Sequence, residues 1–310
     1  MTQIIAVVNM KGGVGKTSTV ISLADAIGAT SRSSVLVIDV DTQANASFCL
    51  LGEDLRATIS SGKTVDTFLR RALTEKPAPN ISEYIRRNVS NTLARGKQAN
   101  ISLLASSTDL RVSEREVIRE LSRSGETLDG VEVKLLNALR HHIATLGEEF
   151  DYIIVDCAPG ISPFTSAAIG MADLVVLPTI PDFLSDLGLH SFIANFGPNL
   201  PFAVAKKKPR VLFTRSQARG KRSRLWNPAR GKNEMINTHK KYEDEIRKRS
   251  TAKDAGFMVF KQSIDESPAM PAAMAMGGVV GKTVTFQQKY PGSLGDAVIA
   301  VKDEILEVLK

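Results

Sequence analysis

The chain has 310 residues, of which 43% are apolar and 24% charged, and a formal charge of +7. That balance suits a globular protein and excludes a disordered or fibrous one. No apolar run reaches the roughly 18–20 residues that span a bilayer. Two cysteines, Cys49 and Cys157, are too few for a disulfide framework or a four-thiolate metal site, so a cytoplasmic location is expected. The charge is uneven. Residues 206–254 carry 17 Lys plus Arg against 5 Asp plus Glu, a net of +12, so the remaining residues sum to −5. A near-neutral body with one basic segment points to a polyanion-binding face, nucleic acid first.

In chain order, Thr2 to Val8 is apolar but short, has no basic stretch before it and runs into glycines. It reads as a buried first strand and not as a signal peptide. Helical spacing of apolar residues follows from Thr17 to Ile27. Val35–Ile38 and Tyr152–Val155 read as strands ending in aspartates, Asp39 with Asp41 and Asp156 respectively. Residues 174–177 and 210–213 read as two more. Short helices are expected at Val65–Leu73 and Ile81–Val89, with another at Tyr242–Arg249. An amphipathic helix is expected over Leu294–Leu309, with Val298, Val301, Ile305 and Leu309 on one side. Uniformly apolar strands alternating with helices predict an α/β fold, a doubly wound and mainly parallel sheet with helices on both faces. Such sheets bind ligands at the carboxyl ends of their strands, where the glycines and the three aspartates fall.

The glycines form Lys11-Gly12-Gly13-Val14-Gly15-Lys16-Thr17-Ser18. The general phosphate loop has Gly, four residues, then Gly-Lys-Ser/Thr. Here the first glycine would fall at Met10, so the strict spacing fails, and a second lysine, Lys11, stands at the entrance. Residues 12–15 can still turn backbone N–H groups onto phosphate oxygens ahead of a helix N-terminus. Lys16 is expected to neutralise the β- and γ-phosphates of ATP, and the Thr17 hydroxyl to ligate Mg²⁺. Asp156 closes an apolar strand, in the place from which a carboxylate holds the water shell of Mg²⁺. Cys157 reads as a small buried residue, since no basic partner stands beside it.

This loop resembles the deviant Walker A motif of the ParA/MinD family of P-loop ATPases. Residues 39–47 (Asp39-Val40-Asp41-Thr42-Gln43-Ala44-Asn45-Ala46-Ser47) resemble the family's Asp-x-Asp-Pro-Gln-x-Asn-Ala, with Thr42 in place of proline and Ala44 in place of glycine. Those two changes predict a less rigid turn. Residues 151–160 resemble Walker B. Ala172–Pro178 and Asp182-Phe183 resemble further family stretches, with Leu187 where an acidic residue is common. Glu266-Ser267-Pro268 is similar to the loop packing on adenine.

The resemblance implies a single ATPase domain over 1–310, with a basic insertion at about 206–254. It implies that Lys11 reaches the phosphates held by a second chain, so that ATP is sandwiched in a homodimer. It assigns Asp41 to positioning the attacking water near Mg²⁺, and Arg215 and Pro268 to the adenine pocket. Catalysis would then rest on Lys11, Lys16 and Asp41, and Mg²⁺ binding on Thr17, Asp41 and Asp156. Short members bind DNA without sequence preference through basic residues. Here the candidates are Lys206, Lys207, Lys208, Arg219, Lys221, Arg222, Arg224, Arg247, Lys248 and Arg249. Trp226 lies in the same segment and is expected to anchor it.

The function implied is a partition ATPase, nucleoid-associated, whose slow hydrolysis is stimulated by a ParB-like adaptor on the cargo, a plasmid, a chromosome region or another assembly. One alternative is a MinD-like membrane-positioning ATPase. The acidic tail, net −2 over Asp296–Lys310, opposes it. Another is a sequence-specific regulator, opposed by a first strand that begins at once with no helix-turn-helix before it. A cluster-bridging electron-transfer protein would need a cysteine pair that Cys49 and Cys157 do not supply.

Overall fold

The computed structural model describes residues 2–123, 125–196, 208–216, 232–276 and 283–310. In chain order it runs β1 (Gln3–Val7), α1 (Lys16–Ala26), β2 (Val35–Val40), α2 (Asn45–Leu51), α3 (Asp54–Ser60) and α4 (Val65–Thr74). Next come β3 (Ile85–Arg86), β4 (Thr92–Ala94), β5 (Lys97–Gln98), β6 (Ile101–Leu104), α5 (Leu110–Arg123) and α6 (Leu128–Ala144). They are followed by β7 (Tyr152–Cys157), α7 (Pro163–Met171), β8 (Leu174–Thr179), α8 (Phe183–Phe196), β9 (Arg210–Ser216) and α9 (Lys232–Ser250). The chain closes with β10 (Met258–Asp265), α10 (Ala269–Met276), β11 (Val284–Thr285), α11 (Phe286–Lys289) and α12 (Ser293–Leu309).

The main sheet has the order β10-β9-β8-β1-β7-β2-β6-β3, and every described pairing is parallel except the edge pair β3–β6. Its central strands, β8, β1, β7, β2 and β6, are mostly apolar because both faces are covered, whereas the edge strand β10 is more polar and largely exposed. Ile4, Ala6 and Val8 point into one hydrophobic cluster with α4 to α7, while Ile5 and Val7 point into a second with α1 and α12. The α/β doubly wound fold expected from the strand pattern is what forms. From β1 the chain crosses to β2 on one side, β7 later fills the place between them, and β8 is laid down on the other side of β1. That divergence opens a crevice at the carboxyl end of β1, where the glycine-rich loop sits.

The expected helix at Ile81–Val89 does not form. A short 3-10 turn at Ile81–Tyr84 gives way to β3, which pairs with β6 at the sheet edge, and Asn88 takes a left-handed φ of 56°. Tertiary pairing with an existing edge outweighs local helix propensity there. The helix expected at Tyr242–Arg249 is longer, as α9, and the terminal helix forms with Val298, Val301, Ile305 and Leu309 all buried.

One buried ion pair fastens the C-terminal part to α1. Lys289 Nζ lies 2.8 Å from Asp25 and both side chains are at most 1% exposed. Asp25 also accepts from Ser90, Thr92 and Tyr290, and Lys289 donates to Asn91. A buried charge pair is tolerable when its remaining hydrogen-bonding capacity is met in this way.

Candidate functional site

The loop after β1 is pinned from below before it meets any ligand. Asn9 donates to the Pro178 carbonyl (2.7 Å) and accepts from the Lys11 N–H (2.8 Å). The Thr214 hydroxyl on β9 donates to the Val14 carbonyl (2.7 Å). Gly13 and Gly15 adopt φ of 75° and 87°, a region that costs a side-chain-bearing residue roughly 1–2 kcal/mol. A Cβ built on Gly12 or Gly13 would meet nothing within 4 Å, so both stand open to the space above the loop. The Val14 side chain is buried in the core, leaving only its backbone to the loop. Helix α1 then begins at Lys16 with no side-chain cap, so its first N–H groups remain available to an anion.

Above the loop is a cavity of about 580 Å³, a size ordinary for small-molecule sites. Gly12, Gly13, Gly15, Lys16, Thr17 and Ser18 line one end together with Asp41. The other end is formed by Arg215, Glu266, Ser267, Met270 and Pro271. Arg215 donates to the Gly13 carbonyl (3.1 Å) and pairs with Glu266 (3.3 Å), which joins the loop to the far wall. Pro268, expected at the base, is exposed and is not part of the lining; Ser267 and Met270 on either side of it are.

Beneath the loop the three aspartates meet. Asp39 and Asp156 are register neighbours on β2 and β7, both wholly buried. Thr17 Oγ1 donates to Asp156 Oδ2 at 2.7 Å, while Asp156 Oδ1 is buried with no hydrogen-bond partner. Burial first, and then the Asp39 charge, push the Asp156 carboxyl well above the ordinary carboxylate range. Burial likewise raises Asp39 to about 6, against hydrogen bonds from Ser47. Lys16 is only 6% exposed; burial lowers its ammonium while Asp156 and Asp41 support it. The orphaned, buried Asp156 oxygen beside the Thr17 hydroxyl is a pair of hard oxygen donors that fits a divalent cation sharing its remaining positions with water and phosphate. Asp41 lines the cavity and accepts from the Gln43 N–H (2.9 Å). Cys157 faces the core, and burial raises its thiol well above the usual range.

Lys11 does not share this interior. It lies outside the cavity lining, 29% exposed, with its ammonium held by Asp182 (2.9 and 3.1 Å) and Ser185 (3.3 Å) at the start of α8. Burial works to raise the Asp182 carboxyl, but the hydrogen bonds from Lys11 and Ser185 outweigh it and hold it below the ordinary value. Exposed Leu184 and Leu187 stand on the same first turns of α8.

The basic candidates divide. Lys206, Lys207, Arg219, Lys221, Arg222, Arg224 and Trp226 lie outside the described residues. Lys208 is exposed, its ammonium donating to the Ala255 carbonyl. On α9, Lys240, Lys241 and Lys248 are exposed. Arg247 and Arg249 are engaged in the fold. Arg247 bonds Glu243 and the Phe260 carbonyl and stacks over Phe213, while Arg249 binds Asp186 and His190 of α8.

Sequence reasoning missed Asn9, Thr214, Ser47 and Ser106. Asn9 carried a faint signal, as an Asx residue at a strand end that can bond its own backbone two residues on. Ser47 stood inside the quoted 39–47 stretch without a role, while Thr214 on β9 and Ser106 after β6 come from distant segments and had no signal.

Comparison with known proteins agrees with this geometry. The AAA_31 family, described as an AAA domain, matches residues 2–198. The chromosome partitioning protein ParA of Myxococcus xanthus is 30% identical over 187 residues, 60% of this chain and 55% of that protein. The chain spans about half to two thirds of the length of the first curated relatives it matches, 49% and 62% for two of them. A solved cobyrinic acid a,c-diamide synthase of Mycobacterium smegmatis, with bound ADP and magnesium, superposes with a TM-score of 0.68 at 20% identity, covering 99% of this chain and 95% of that one. The structure of pNOB8 ParA bound to nonspecific DNA superposes with a TM-score of 0.57 at 16% identity, covering 100% and 99%. With nearly two thirds of its length matched and a two-lysine glycine loop at the switch point of its sheet, the chain belongs to the AAA_31 family, the ParA/MinD-type P-loop proteins.

Proposed function

We propose that this chain is a Mg²⁺-dependent ATPase of the partition type, in which ATP binding drives homodimerisation and the dimer grips DNA without reading its sequence. The observation that carries the reading is the division of labour between the two lysines. Lys16 is buried at the cavity end, whereas Lys11 stands at the rim on a surface pair that a competing phosphate can replace. ATP phosphates fit against the open N–H groups of residues 12–17. Thr17 and Asp156 would hold Mg²⁺, with Asp41 close by. Held there, the ion would supply positive charge against the phosphates and the charge that develops on them. Asp41 orients the attacking water, and positioning of this kind supplies most of the catalysis in phosphoryl transfer. Adenine lies against Arg215, Ser267 and Met270. The neighbours solved with ADP and magnesium and with nonspecific DNA support the ligand classes. The basic residues of 206–254 are the DNA-facing candidates, with exposed Lys240, Lys241 and Lys248 foremost among those described. A ParB-like adaptor on a plasmid, chromosome region or other cargo would stimulate hydrolysis.

The membrane-positioning reading is less favoured because the apolar face of α12 is buried against α1 and the sheet, leaving it no stripe to lay on a bilayer. Among the described residues no helix is long and apolar enough to cross a membrane. A gel-shift titration on unrelated duplexes with ATP, ADP and no nucleotide, repeated across salt concentration, tests the proposal. ATP-dependent, salt-sensitive binding is expected. Equal affinity in all three states would sink the switch.

A further inference from the structure

Thr42 leaves the turn after β2 without the proline that would stiffen it, and Ala44 stands where a glycine would take a left-handed φ without strain, yet the turn is tightly held. A closed ring of hydrogen bonds runs through two serines to which the sequence pattern gave no role. Asp39 Oδ1 accepts from the Asp41 N–H at 3.0 Å. Asp39 Oδ2 accepts from both the N–H (2.8 Å) and the hydroxyl (2.7 Å) of Ser47, at the start of α2. The Ser47 oxygen accepts in turn from the Ser106 N–H at 2.8 Å. The Ser106 hydroxyl closes the ring by donating to the Asp41 carbonyl at 2.8 Å.

All four residues are at most 5% exposed, so water does not compete for these bonds. The ring grips the Asp41 backbone on both sides, at its N–H and its C=O, and leaves its carboxylate facing the cavity. Ser106 comes from the segment after β6, far away in sequence, so the ring ties the turn to a second rigid strand of the sheet. Ala44 itself sits at φ 50°, a strained value for alanine that persists only where the surroundings fix it.

We infer that Ser47 and Ser106 are positioning residues that fix the Asp41 carboxylate over the phosphate loop. This rests on the reading of Asp41 as the group that orients the attacking water. Neither serine touches nucleotide. Each acts through the backbone of Asp41, where a displacement of about 1 Å can cost 10²-fold in rate. Loss of either hydroxyl should therefore lower turnover and leave ATP binding alone.

The test uses the full chain with Mg²⁺, ATP and duplex DNA, measuring kcat together with the affinity for a fluorescent ATP analogue. Asp41→Ala is the reference and should stop hydrolysis with affinity retained. Ser106→Ala and Ser47→Ala should each lower kcat by about 10- to 100-fold with affinity within about 3-fold, the signature of an interaction that matters only in the transition state. Ser106→Thr, which keeps the hydroxyl, should recover most of the rate. Should Ser106→Ala fail to fold, Ser106→Cys, close in volume and a weak donor, must show the same split. Serine variants turning over within about 2-fold of the parent while Asp41→Ala is inert would overturn the inference, as would parallel losses of rate and affinity. Hydrolysis persisting in Asp41→Ala would instead sink the reading of Asp41, a result distinguishable from an inert ring.

Discussion

The inner end of the phosphate loop and its rim are five residues apart and follow different rules. At the inner end Lys16 and Asp156 are buried and Thr17 is half-buried, and their hydrogen bonds are made apart from one orphaned carboxylate oxygen that a ligand would satisfy. At the rim Lys11 and Asp182 are about 30% exposed and joined by a surface ion pair, the kind worth roughly 0–1 kcal/mol in water. A group held that weakly can exchange partners at little cost. The inner end is therefore suited to holding a ligand, and the rim to sensing one on another chain.

Substitutions that strike one half and spare the other sharpen this contrast. Lys16→Ala removes the buried cation beside the phosphates, and loss of ATP affinity by about 100-fold or more is expected by calorimetry, since charge-assisted bonds in a desolvated site are strong. Asp156→Asn should weaken Mg²⁺ binding by about 10- to 100-fold in a metal titration with nucleotide present. Lys240, Lys241 and Lys248 changed to Ala should lower the slope of log affinity for DNA against log salt by about 1 per lysine that contacts phosphate. At the rim, Asp182→Asn keeps the oxygen that accepts the Ser185 N–H and loses only the charge, so denaturant unfolding should register a change below about 1 kcal/mol. ATP affinity should not move. The parent's Asp182–Lys11 contribution has a depressed carboxylate pKa, so it is fully present above the ordinary Asp range near 3.9 and is lost as pH falls through the lowered value. The smallest effect is expected for Ala44→Gly. Relief of roughly 1–2 kcal/mol of left-handed strain is offset by a buried methyl and by glycine's backbone entropy, leaving a net change within about 1 kcal/mol.

How legible each half was in the sequence follows from the same contrast. The inner end lies in one contiguous run, Gly12 to Thr17, after an apolar strand, and Asp156 closes another such strand. Parallel pairing of β1 with β7 then brings Asp156 beside Val7 without further information. The rim depends on distant segments. Asp182 lies 171 residues from Lys11, and nothing local to either announced the pair. The ring at Asp41 was hidden for the same reason, because Ser106 reaches it only through β2–β6 pairing. Arg247 and Arg249 counted as surface charge in the composition, but Phe213 and Asp186 hold them against the body of the fold. The helix expected at Ile81–Val89 failed because its apolar residues had a sheet edge to join, which spacing alone does not reveal.

The most direct measurement is the mass of the chain in solution, by sedimentation or light scattering, with Mg²⁺ and either ATP or ADP. We expect a dimer with ATP and a monomer with ADP for the parent. For Lys11→Ala we expect a monomer in both states, with ATP affinity within about 3-fold of the parent because the inner end is untouched. A Lys11→Ala chain that dimerises with ATP as the parent does would contradict the division of labour between the two lysines.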